Sequence, residues 1–211
     1  MDIKRIGPDH LVVTHDGIAA ARPMMWVALA CIAAAVVIAF LGGSLASLIV
    51  VIVVAGLILS MLWRASARTA AVFDRGLGTL AITHTRGGEI VGEDDVALSD
   101  IACVIVEPSA GSGMVSGQNL SLRPAVLADG RIIPLTYRSF ESGPRPVEVA
   151  NALRQFLGLS DGDLIARSVE ALARHDPRIQ PAVRLARIGL GLDRHEAAAM
   201  VAGLRAEARD D

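Results

Sequence analysis

The chain has 211 residues, a formal net charge of −2 and 53% hydrophobic residues. Aromatic residues make up only 3% of it, too few to supply stacking platforms for single-stranded nucleic acid. The balanced charge also argues against a duplex-binding domain, which needs clustered positive charge to neutralise phosphates. We therefore expect no nucleic-acid partner.

The first 22 residues form a polar N-terminal segment, predicted to be cytoplasmic, with one short extended patch at 11–14. The β-branched residues of this patch favour a strand, and the Asp-Gly pair at 16–17 is a turn signal. A lone strand needs a partner, so we expect it to join the edge of a later sheet, the alternative being a loose segment. His10 and His15 are interpreted as solvated or turn residues.

Residues 23–63 contain no Asp, Glu, Lys, Arg or His. As one helix this run would be about 62 Å long, whereas a bilayer core is about 30 Å thick. The run therefore predicts a two-helix transmembrane hairpin with spans at 24–41 and 45–63, folded at the Gly-Gly-Ser of 42–44. The alternative is a buried helical hairpin in a soluble core.

The basic residues flank this hairpin and are absent from its turn. By the positive-inside rule both termini then lie in the cytoplasm, which predicts a multi-pass membrane protein. Trp26, Trp63, Arg22 and Arg64 are predicted to anchor it at the membrane interface.

Small residues at four-residue spacing let helices in lipid approach closely. Gly56 and Ser60 have this spacing and are candidate helix-packing residues. Because the hairpin carries no ionisable group, it is interpreted as an anchor or docking surface and not as an ion pathway.

A domain at 64–159 follows, in which the hydrophobic period changes from helical to two. Strands are predicted at 69–74, 79–85, 89–91 with a continuation at 94–98, 101–107, 120–128 and 131–136. Pro124 and Pro134 place the last two strands at edges or bulges. A helix of about 12 residues begins after the Ser-Gly-Pro of 142–144 and ends at Gly158. These elements predict a bent antiparallel sheet or barrel capped by a helix.

The order of these elements resembles the bacterial membrane-anchored pleckstrin-homology-like (PH-like) proteins. The resemblance rests on the two spans, the Phe-Asp-Arg-Gly-Leu-Gly-Thr-Leu phrase at 73–80, the buried strand, the Asp-Gly hairpin and the closing helix. It implies a seven-stranded, strongly bent sheet closed by a helix and held at the cytoplasmic membrane face. It also implies headgroup contacts near the first hairpin, where Arg75, Arg86 and His84 stand beside Asp74.

The helical C-terminal region, 160–211, lies outside the resemblance. Three short amphipathic helices are predicted, the last opened by an Asp193–Glu196 capping box. They form a small bundle or dock onto the sheet. The acid-free stretch 178–192 has two interpretations: Arg178, Arg184 and Arg187 contact anionic lipid, or its apolar face is core for the flanking helices.

No nucleophile–base constellation, metal-ligand spacing or phosphate-binding loop is present in the sequence. Cys31 and Cys103 are interpreted as small core residues, and the glycine-rich stretch at 109–117 as a flexible connection. We expect no catalytic residue, metal or cofactor, and no small-molecule substrate is evident.

The sequence therefore predicts a non-enzymatic inner-membrane accessory, scaffold or assembly protein, in contact with the bilayer, that binds a protein partner or itself. The first alternative is a module that senses anionic lipid. The second is an enzyme whose site is completed by a partner.

Overall fold

A computed structural model describes residues 1–16, 67–109, 121–136, 141–159 and 162–210, together with separate helical positions between 26 and 60. Apart from those separate positions, the described residues form nine strands and four α-helices. The strands are β1 (Asp2–Arg5), β2 (His10–Asp16), β3 (Ala67–Asp74), β4 (Thr79–Arg86), β5 (Glu89–Ala97), β6 (Ile101–Pro108), β7 (Ser121–Ala128), β8 (Arg131–Pro134) and β9 (Glu141–Ser142). The helices are α1 (Arg145–Leu157), α2 (Leu164–His175), α3 (Gln180–Gly189) and α4 (Arg194–Asp210).

Strands β1 to β5 form one antiparallel sheet in sequence order. Alternate residues of β3, beginning at Ala67 and ending at Phe73, are buried, as expected for a strand with one face on a core. The prediction that the N-terminal patch joins the sheet is confirmed, because β2 pairs with β3 from His10↔Asp74 to Asp16↔Arg68. Strand β1, which the sequence analysis missed, extends the sheet beyond β2.

Strands β6, β7 and β8 form a second antiparallel sheet, and β9 pairs with β7 beyond the end of β8. The predicted Asp-Gly hairpin is confirmed: Asp129 and Gly130 have φ values of 49° and 68°, which match the turn favoured in two-residue hairpins. Pro134 ends the outer strand β8, as predicted. The edge prediction for Pro124 is wrong, because β7 is a central strand. Pro124 lies between the part of β7 paired with β8 and the part paired with β9.

The four helices pack on the second sheet and on one another. Helix α1 contacts β6, β7 and β9, and ends at Gly158 in a left-handed conformation (φ 74°). Helices α2 and α3 contact β6, and α4 packs against both of them. The tail therefore forms a bundle and also docks on the sheet. One hydrophobic core joins both sheets and all four helices.

The described part of the chain contains no helix that is both long and apolar enough to cross a membrane. A span needs about 20 consecutive apolar residues in one helix. This finding contradicts the predicted transmembrane hairpin and the multi-pass inner-membrane location with cytoplasmic termini. The other residues of the spans at 24–41 and 45–63 lie outside the described residues.

The predicted fold class is also corrected in its sheet. A single bent sheet would continue its hydrogen-bonded ladder from β5 into β6. Instead, a short 3₁₀ turn at Leu98–Asp100 separates the two strands, and β6 pairs with β7. The described strands therefore form two sheets around one core.

Candidate functional site

Strand β5 is an outer strand of the first sheet and carries a concentration of negative charge. Among the described strands it pairs with β4 alone. Its nine residues include four carboxylates and no basic residue: Glu89, Glu93, Asp94 and Asp95. Ile90 and Val91 lie among them with 60% and 44% of their surface exposed. We call this strand the acidic edge.

A β-bulge shapes the acidic edge. Gly92 pairs with His84 and Ile90 pairs with Thr85, so Val91 is an additional residue in β5. A bulge bends its strand and interrupts the regular alternation of faces. The two neighbouring apolar side chains, Ile90 and Val91, are consequently both exposed, where a regular strand would point one of them inward.

A buried row of polar side chains crosses the first sheet near this bulge. His15, Thr69 and His84 are cross-strand neighbours on β2, β3 and β4, and Thr69 Oγ1 lies 3.0 Å from His84 Nδ1. Burial lowers the pKa of both histidines, although Glu141 opposes this for His15 and Asp94 for His84. Burial therefore disfavours the charged form of both rings.

His15 Nδ1 lies 3.0 Å from Glu141 Oε1, which is ion-pair distance. The orientation of the two groups does not meet hydrogen-bond geometry. Burial lowers the pKa of His15 more than Glu141 raises it. We therefore interpret the two groups as buried polar neighbours and not as an acid–base pair.

A second polar cluster joins β6 to the tail helices. Glu107 is buried, and its Oε2 accepts hydrogen bonds from Arg123 Nε (2.9 Å) and Nη2 (2.7 Å). Its Oε1 accepts from Arg178 Nη2 at 3.2 Å. Arg178 also donates to both carboxylate oxygens of Asp176 at 3.0 Å, and Asp176 is largely responsible for raising the pKa of Arg178. The cluster pairs the buried carboxylates of Glu107 and Asp176 with arginines and so serves the fold.

A groove of about 360 Å³ lies where α1 and α2 meet β6. Its polar lining comprises Cys103, Arg154, Arg167, Glu170, Arg174 and His175. Its apolar lining comprises Ala102, Val104, Leu127, Leu159 and Ala171. We call it the arginine groove.

The three arginines of the arginine groove have different partners. Arg154 is buried and donates to the backbone oxygens of Leu159 (3.1 Å) and Gly162 (2.8 Å). Arg167 and Arg174 lie on opposite oxygens of Glu170, at 3.8 and 3.6 Å. Burial raises the pKa of the Cys103 thiol, and Arg167 only partly offsets it, so the thiol is a poor nucleophile.

The structure does not bring the predicted lipid-contact arginines of the first sheet together. Arg75 lies in the β3–β4 turn, with its guanidinium carbon 4.4 Å from the ring centroid of Phe156. Arg86 ends β4 at the opposite end of the hairpin. An eight-residue strand, about 23 Å long, separates the two, which is too far for one headgroup.

The predicted arginines of the tail are largely engaged in the fold. Arg178 belongs to the Glu107 cluster, and Arg184 Nη1 donates to the backbone oxygen of Ser109. Arg187 is exposed on α3. Helix α3 buries Pro181, Ala182, Leu185 and Ala186, which favours the interpretation as core, although Ile179 of the predicted apolar face is 37% exposed.

Of the predicted membrane anchors, Arg22, Trp63 and Arg64 lie outside the described residues, as does Cys31. Trp26 occupies a helical position and is 69% exposed. Gly56 and Ser60 are also at helical positions, and among the described residues outside its own helix none has an atom within 4 Å of where a Gly56 Cβ would lie. The glycine-rich connection is described only at Ser109, beyond which residues 110–120 are not described.

Two features were missed by the sequence analysis. The arginine groove could have been recognised in part, since Arg167, Glu170 and Arg174 are spaced by three and four residues and must share one face of a helix. The Glu107 cluster had no such signal, because its members are separated by up to 71 residues. No known protein-family model matches the chain, and no curated protein is significantly similar to it.

Proposed function

We propose that the chain is a non-enzymatic binding protein, which binds a partner protein by adding an extended segment of that partner to the acidic edge. The order of elements provides a rigid body that carries this edge. The seven strands β2–β8 are followed, after the short β9, by the closing helix α1. A scaffold of this kind fits an accessory or assembly role.

The observation that carries the proposal is the acidic edge itself. A partner strand can gain main-chain hydrogen bonds along an outer strand, while side-chain pockets and charges provide specificity. The exposed Ile90 and Val91 offer apolar contact, and the four carboxylates select a segment rich in Lys or Arg. Two copies of this strand would repel each other, so the same charges oppose self-pairing.

The use of charge inside the protein supports a binding role over a catalytic one. The buried carboxylates of Glu107 and Asp176 are saturated by arginines, and desolvation disfavours the charged form of the two buried histidines. General acid–base catalysis needs groups poised to exchange protons near a substrate. These groups instead join strands and helices.

The test is site-specific photo-crosslinking in the native host. A photoreactive amino acid at position 90 is expected to give a discrete product with another protein, whose crosslinked segment is rich in Lys or Arg. The matched control places the same group at Leu77, which is 77% exposed in the β3–β4 turn at the far end of the sheet. That position should give no such product.

Charge reversal separates specific pairing from chance proximity. The exposed side chains of Glu93 and Asp95 lie on one face of β5, so E93K/D95K should abolish the product from position 90 without unfolding the protein. Products of equal yield from positions 90 and 77, or a product indifferent to the charge reversal, would contradict the proposal.

A further inference from the structure

We propose that the arginine groove is a binding site for a small organic anion, one carrying a phosphate or carboxylate group on an apolar portion. The groove lies on the second sheet, so this site is independent of the partner surface on β5. Sequence analysis predicted no small-molecule ligand, and the inference rests on the groove's charge, shape and lining.

Charge makes the groove attractive to anions. Three arginines and the carboxylate of Glu170 line it, and Arg174 also lies 3.7 Å from Glu207. The side chain of Arg167 is 56% exposed and lies 3.8 Å from Glu170, beyond the roughly 3.2 Å limit of a good N–H···O hydrogen bond. The N–H groups of Arg167 can therefore still donate to the oxygens of an anion. A guanidinium group can donate two parallel hydrogen bonds to one phosphate or carboxylate group.

The buried Arg154 adds a fixed positive charge beside the more exposed Arg167. Arg154 is 7% exposed and fixed by its bonds to the Leu159 and Gly162 carbonyls. It therefore contributes a positive potential at the groove without a further ordering cost when a ligand arrives. Arg174, with a side chain that is 30% exposed, stands on the other side of Glu170.

The remaining lining favours an organic ligand over a bare ion. Ala102 is exposed and Leu159 is half-buried, and both supply apolar lining that inorganic phosphate cannot use. A volume of about 360 Å³ is at the lower end of the range typical of small-molecule sites, roughly 300–1,000 Å³. A single ring or short chain with one anionic group fits these dimensions.

The experiment titrates the full-length protein calorimetrically with phenyl phosphate, and with benzyl alcohol as the uncharged analogue. We expect saturable binding of phenyl phosphate that weakens with added salt, and none of benzyl alcohol. R167Q should weaken binding about tenfold, the loss of one charge-assisted hydrogen bond. R187Q makes the same charge change on the exposed face of α3 and should have no effect.

Modification of Cys103 provides a second readout, because the thiol lines the groove. Saturating phenyl phosphate should slow alkylation of the Cys103 peptide, measured by mass spectrometry, in the unmutated protein and in R187Q. No saturation, equal weakening by R167Q and R187Q, or unchanged alkylation of Cys103 would overturn the proposal. Failure of the crosslinking experiment at position 90 would leave it standing.

Discussion

Strands β5 and β6 are both outer strands of their sheets, yet β5 is exposed and β6 is covered. Among the described strands β5 pairs with β4 alone and β6 with β7 alone. Strand β5 is acidic and largely exposed, whereas β6 is apolar, largely buried and covered by helices. Residue chemistry therefore decides which outer strand remains accessible: an apolar one must be covered, and a charged one can stay in water.

Helix α2, which packs over β6, also provides a hydrogen-bond acceptor for the β6 backbone. Val106 N donates to Ser168 Oγ of α2 at 3.0 Å, and Ser168 Oγ in turn donates to the Leu164 carbonyl at 2.6 Å. A helix side chain thus takes the place of a neighbouring strand. Water can serve the equivalent groups of β5, which leaves them able to exchange water for a partner strand.

The largest expected effect is at Glu107 on β6. E107A would leave Arg123, whose side chain is only 14% exposed, without its carboxylate. Breaking a buried ion pair by removing one partner typically costs about 3–5 kcal/mol, and we expect that loss in the free energy of unfolding. Urea denaturation followed by circular dichroism measures it.

The matched control for Glu107 is E93A on β5, which removes an exposed carboxylate and should change stability by no more than about 0.5 kcal/mol. Equal losses in E107A and E93A would contradict the contrast between the two outer strands.

Apolar truncation should give the next largest difference. Ile105 of β6 is fully buried and Ile90 of β5 is 60% exposed. I105A should therefore destabilise by about 2–5 kcal/mol through lost packing and a cavity, and I90A by less than about 0.5 kcal/mol. The same denaturation assay applies, and a cost above 1 kcal/mol for I90A would show that this side chain is needed by the fold.

Removing the Ser168 hydroxyl of α2 should destabilise the protein less than E107A or I105A on β6. S168A would leave the buried Val106 N–H without its acceptor, at a cost of about 1–3 kcal/mol. Amide hydrogen exchange should show faster exchange at Val106, while Ile105, which lies opposite Ala125 in the β6–β7 ladder, remains protected. S99A, which changes an exposed serine next to β6, is the control; unchanged exchange at Val106 in S168A would contradict the role of Ser168.

Some features of these regions could be predicted from the sequence and others could not, for physical reasons. The Asp129–Gly130 turn, the end of α1 at Gly158 and the Asp193–Glu196 capping box are local signals, and each is confirmed. Cover of β6 by helices depends on contacts distant in sequence, so no local pattern revealed it. The apolar run at 23–63 was interpreted by composition alone, and the described helices do not bear out a membrane span.

The smallest expected effect concerns pH at the boundary of the acidic edge. His84 pairs with Gly92 of β5, and its pKa is lowered first by burial and further by Arg123, against the opposing influence of Asp94. The unfolded chain, with a histidine pKa near 6.5, then binds more protons than the folded one, so stability should fall as pH drops below about 6.5. H84N should reduce this slope, to which the buried His15 contributes with the same sign, while H195N on exposed α4 should leave it unchanged. Identical slopes in both variants, from denaturation at pH 7.5 to 5, would show that His84 is not the titrating group.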